Sequence, residues 1–159
     1  MEQARQGWRV KVLVSLVQIA TLYRRFCGIH YVMSQVDDRI TLLSTALEQV
    51  AVAHECYHDC VFVTIPGGQL EVKIWEDGSE SVQMIPGDFH THLEILAMEH
   101  ETSGENAFAS FVRSILDGRR PVIQETSPEG VVRTTIEESL ESYLQYLPSG
   151  ATFRVLNAT

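Results

Sequence analysis

Long apolar runs are what this 159-residue chain most plainly lacks. The longest, Val12–Tyr23, is about a dozen residues and falls short of the roughly 18–20 a membrane-crossing helix needs, so a transmembrane protein is not expected. Cysteine is scarce and odd in number (Cys27, Cys56, Cys60), which excludes a secreted disulfide framework and makes a reducing cytoplasm the default. Five prolines and ten glycines are too few for a collagen-like or low-complexity chain. Bases are in the minority, 12 against 21 acids, for a net charge of −9. An acidic chain repels phosphate backbones, so no nucleic-acid partner is expected. What is present is 45% apolar sequence at one domain's length, enough for a core that buries about two-thirds of the unfolded surface.

The charge is unevenly placed. Residues 1–32 hold five bases and one acid, whereas 33–159 hold seven bases and twenty acids, a net of −13. Such a domain attracts a basic protein partner and speeds the encounter, although the same excess of acid also serves plain solubility. Val12–Tyr23 has the look of a signal-peptide core, but Arg24-Arg25 follows it in place of a small-residue cleavage site, so a cytoplasmic location is expected. Composition switches at Met33. Residues 1–32 therefore read either as a basic, apolar N-terminal extension or as an extra helix, and 33–159 as a single acidic domain.

From Val36 to about His58 the apolar residues Ile40, Leu43, Leu47 and Val50, then His54 and Tyr57, recur at spacings of three and four, which predicts one long helix. Val61–Ile65 reads as a strand closed by Pro66-Gly67-Gly68. Leu70–Ile74 alternates as a half-buried strand, and Asp77-Gly78 turns it into Ser81–Ile85. Ser103 is placed to cap a second helix carrying Phe108, Phe111, Val112 and Ile115. Pro121–Glu125 and Val131–Thr135 form a further hairpin, Thr135-Ile136-Glu137-Glu138 reads as the capping box of a third helix, and Thr152–Leu156 as a last strand. The expected fold is α+β, a mainly antiparallel sheet with three helices packed on it.

Two segments carry chemistry. His54-Glu55-Cys56-Tyr57-His58 matches H-E-x-x-H; on a helix its histidines share one face at i and i+4, where both can bind Zn²⁺ with Glu55 as general base. Over this one helix the chain resembles the zincin metallopeptidases, and the resemblance implies a third ligand from a later helix, for which Glu105 is available. Asp59 and a strand-like Cys60–Ile65 follow at once, a departure that places His58 at a fraying end; the plain alternative is a part-buried His54 and a capping His58.

Gly87-Asp88-Phe89-His90-Thr91-His92 is the second segment. Asp88, His90 and His92 share parity, so one strand face would present all three. The pattern resembles the JAMM/MPN metalloproteases, with Leu93 where that family has Pro and Asn106 where it has Asp. The stretch from about 60 to 125 also resembles small uncharacterised bacterial proteins with a G-x-[WF]-H-x-H segment, some of them assigned as toxin-immunity proteins. That resemblance implies a binding function, with His90 and His92 lining a pocket or partner surface.

Three readings follow. The first is an acidic cytoplasmic binding protein of immunity type, without a cofactor, that neutralises a basic protein partner. The second is a zinc-dependent hydrolase on His54, Glu55 and His58. The third is a structural zinc held by His54, His58, His90 and His92, with Glu55, Glu94 or Asp88 in reserve. Whether the two histidine pairs converge separates them.

Overall fold

The computed structural model describes residues 35–158; the 1–32 segment and the choice between extension and extra helix lie outside them. A helix (α1) runs through residues 35–49. Its buried stripe is Leu43, Ala46 and Leu47. The helix is shorter than its apolar period predicts. Ala51 takes the left-handed conformation (φ 55°), and the amides of Val52 and Ala51 return to the carbonyls of Leu47 and Glu48. This is a Schellman stop, completed by the burial of both Val52 and Leu47. It is built without glycine, so the usual signal for a helix end was missing.

The chain then makes a five-stranded antiparallel meander: β1 Glu55–Tyr57, β2 Cys60–Ile65, β3 Gly68–Ile74, β4 Glu80–Ile85 and β5 His90–Thr91, ordered in space as in sequence. The β2, β3 and β4 strands fall where their alternation and turn residues put them, with Gly67 and Gly78 at positive φ in the connections. Two helices follow, α2 (Leu93–His100) and α3 (Gly104–Leu116). The α3 helix starts at Ser103, whose hydroxyl accepts from the Asn106 amide as its type predicts. The α2 helix was not expected; only Leu93 and Leu96 are buried along it, too few to show a period. Glu99 and His100 are its last turn.

A second, three-stranded antiparallel sheet is ordered β7-β6-β8, from β6 Val122–Thr126, β7 Val132–Ile136 and β8 Thr152–Val155. The expected capping box at Thr135 is overturned. Thr135 and Ile136 are ladder partners of Ile123 and Val122, and that pairing holds the chain extended until Ser139 caps the short helix α4 (Leu140–Leu144). The described residues thus form an α+β fold with four helices and two antiparallel sheets, where one sheet and three helices were expected.

Inward residues of the large sheet (Val61, Val63, Leu70, Val72, Val82) join Leu43, Leu47, Phe108, Phe111 and Ile115 in one core. The helices α1, α2 and α3 therefore bury their apolar residues against a single face. None of the described helices is long and apolar enough to cross a membrane.

Candidate functional site

His54-Glu55-x-x-His58 does not lie on a helix. His54 sits between α1 and β1, Glu55 to Tyr57 are β1, and His58 is exposed in the turn to β2. The i, i+4 geometry that would aim both imidazoles at one metal is lost, because the Schellman stop ends the helix before the motif begins. His54 is engaged by the fold: Nδ1 is 3.0 Å from the Val52 carbonyl oxygen and Nε2 is 2.8 Å from Ser44 Oγ. A carbonyl only accepts, so Nδ1 carries the proton, and in the neutral ring Nε2 accepts from the Ser44 hydroxyl. The lone pair a metal would need is then in use. Glu55 is exposed and accepts from the Tyr57 hydroxyl at 2.9 Å.

The second segment is also rearranged. Its strand, β5, is only His90–Thr91; Asp88 lies in the bend before it, and His92 is the N-cap of α2. The parity that was to align the three side chains does not hold across these boundaries. The rings of His90 and His92 still meet edge to face at 5.0 Å, while His92 Nδ1 donates to the Glu80 carbonyl. Among the described residues no three His, Cys, Asp or Glu side chains come together as a metal site. Register explains why the pairs stay apart. Glu55, Phe62, Glu71, Gln83 and His90 are successive partners across all five strands, so Glu55 and His90 stand at opposite edges of the sheet. Four interstrand spacings amount to about 19 Å.

A cleft of about 520 Å³ opens on the helical side, lined by Arg39, Ser79, Glu80, His92, Glu94 and Ala97 among others. Arg39, from α1, is ion-paired to Glu80 at the start of β4, and its Nε lies 2.9 Å from Glu105 Oε1 in the first turn of α3. Burial raises the proton affinity of Glu80; Arg39 opposes this, and the Glu105 and Glu94 carboxylates add to it. Glu105, the third ligand the zincin likeness implies, is therefore committed to a guanidinium. The cleft's cation is internal and ties three elements together, a role that the sequence did not show because its partners lie 41 and 66 positions from Arg39.

The other face of the five-stranded sheet has no described helix on it. Its outward residues interact with one another. Tyr57 meets Phe62 edge to face at 5.6 Å, and the Lys73 ammonium stands 4.7 Å from the centre of the Trp75 ring. Glu71 accepts from Gln83 and from the Cys60 thiol. The Cys60 thiol is pushed up to about 12 by burial first, then by the Asp59 and Glu71 carboxylates, so it stays protonated. Cys56 pairs with Val61 and Cys60 with Tyr57, which puts the two cysteines on opposite faces as free thiols. Tyr57 and Trp75 are 58% and 47% exposed, large values for aromatic side chains in a sheet.

Charge completes the surface. None of the twenty carboxylates in the described residues is buried. Six of the seven bases are ion-paired, and they use only six carboxylates: Glu80, Glu105, Asp59, Asp117, Glu99 and Asp88. Arg154, the seventh, donates to Gln124. Fourteen carboxylates thus have no ion-pair partner among the described residues.

No family model, curated protein or solved structure matches the chain.

Proposed function

We propose that this chain is a small acidic binding protein of immunity type, which holds and neutralises a basic protein partner in the cytoplasm. The observation that carries the reading is the set of fourteen carboxylates left without an ion-pair partner among the described residues once the arginines and the lysine of those residues are used. Carboxylates fixed on a folded surface and uncompensated repel one another, and a cationic partner relieves that repulsion while drawing in faster than diffusion of neutral surfaces allows. The two free thiols suit a reducing compartment. The likeness of the 60–125 stretch to immunity proteins points the same way.

Calorimetric titration of the full chain with the protein encoded beside it, at rising salt, tests the reading. Tight one-to-one binding whose affinity falls steeply with salt is the expected result. Absence of binding, together with no protection of cells producing that neighbour, overturns it.

A further inference from the structure

We infer that the open face of the five-stranded sheet is the surface on which the basic partner docks, with Trp75 and Tyr57 receiving its arginine or lysine side chains. This inference rests on the reading above and adds the surface to it.

The face sets three aromatic side chains among carboxylates, with Glu71 on the central strand between Phe62 and Gln83. Tyr57, Phe62 and Trp75 supply flat aromatic surface, the residue types that anchor interfaces, and none of them belongs to the core that the helices cover. Around them stand Glu55, Asp59, Glu71, Glu76 and Asp77, against the single base Lys73. Bonds from the Ser79 hydroxyl and amide lower the proton affinity of Asp77, which favours its charged form at the hairpin tip. Lys73 shows the chemistry on a small scale. Its ammonium lies over Trp75 and 3.4 Å from Asp59, the pairing of ring face and carboxylate that an incoming guanidinium would use.

The strands are 3, 6, 7, 6 and 2 residues long, so the face covers at most about 400 Å², no more than about half of what one partner contributes to a standard interface. A stable complex must therefore extend over the rim, and the rim nearest Trp75 is Glu76 and Asp77. The helical-side cleft is the weaker candidate for a cation, because the carboxylates that Arg39 holds there, Glu80 and Glu105, are largely shielded from water, whereas Asp59 beside Lys73 is open to it.

The test is an NMR titration of isotope-labelled full chain with tetra-arginine amide, repeated on a Tyr57→Ser/Trp75→Ser variant. Both residues are exposed, and circular dichroism confirms that the variant folds; Glu55→Lys/Glu76→Lys serves as a second variant that leaves the aromatics in place. The expected result is saturable, salt-sensitive shifts over 55–64 and 71–77, including the Trp75 indole, with affinity about tenfold weaker in either variant. Shifts confined to the cleft between β4 and α2, or to α4 and β8, overturn this surface and leave the acidic-binding reading in place. Absence of any saturable, salt-sensitive shift overturns both.

Discussion

Ala51 and Asn157 show how much single residues decide here. A left-handed backbone at a residue with a Cβ costs about 1–2 kcal/mol, of which glycine's extra freedom in the unfolded chain returns about 0.5–1. Ala51→Gly should therefore raise stability by about 0.5–1 kcal/mol in urea unfolding, and a loss would show that Ala51 makes contacts worth more than the strain. Asn157 is buried and makes three bonds: Oδ1 accepts from the Val122 amide, and Nδ2 donates to the carbonyls of Ile115 and Arg120. It joins the end of α3 to the start of β6. Asn157→Leu strands the Val122 amide and the Arg120 carbonyl, while the Ile115 carbonyl still accepts from the Gly118 amide, and should cost about 2–4 kcal/mol in the same measurement. Neither position stands out in the sequence. An alanine after a helix and an asparagine near the end of the chain acquire their roles only from the groups placed beside them.

Between elements the main electrostatic tie is Arg39, which links α1 to β4 and α3 through Glu80 and Glu105. The carboxyl of Glu80 titrates above its ordinary 4.5 in the folded chain, chiefly because it is largely removed from water. A group whose folded pKa is raised favours the native state while protonated, and that contribution is lost as pH rises from 4.5 through the folded value. Glu80→Gln stays neutral throughout. Its stability relative to the parent chain should therefore improve as pH is raised across that window, read from paired thermal melts. A constant difference would place the main cost in solvent, outside the cleft. At this scale the sequence was most legible where local rules suffice. The β2–β3–β4 meander, the Ser103 cap and the β6–β7 hairpin all follow from alternation, turn residues and capping. It misled at 50–58 and 135–139, where backbone pairing with a neighbouring strand overrode an apolar period and a capping box.

For the whole molecule the governing quantity is charge. Most carboxylates face water without a base beside them among the described residues, so the folded chain is under mutual repulsion that salt should relieve. The melting temperature should rise with added sodium chloride; a fall would mean that the ion pairs of Arg39, Arg113 and their partners outweigh the repulsion. The zinc readings make a contrasting claim at this scale, since a structural metal would make the fold sensitive to chelation. With His54 bonded to Ser44 and the second histidine pair at the far side of the sheet, addition of EDTA should leave the melting temperature unchanged.

By itself the sequence determined the class of fold, most of the strands, the capped helix α3 and the acidic character, because composition and short-range periodicity are properties of neighbours along the chain. It also displayed two histidine pairs but not their relation. That was decided by the register of five strands, which sets Glu55 and His90 at opposite edges, and by a helix stop that no glycine announced. Which face the helices cover, and hence which face is left open with Tyr57 and Trp75 on it, is likewise a matter of tertiary packing. Alternation assigns residues to two sides of a sheet, and only the burial of the core distinguishes the inside from the outside.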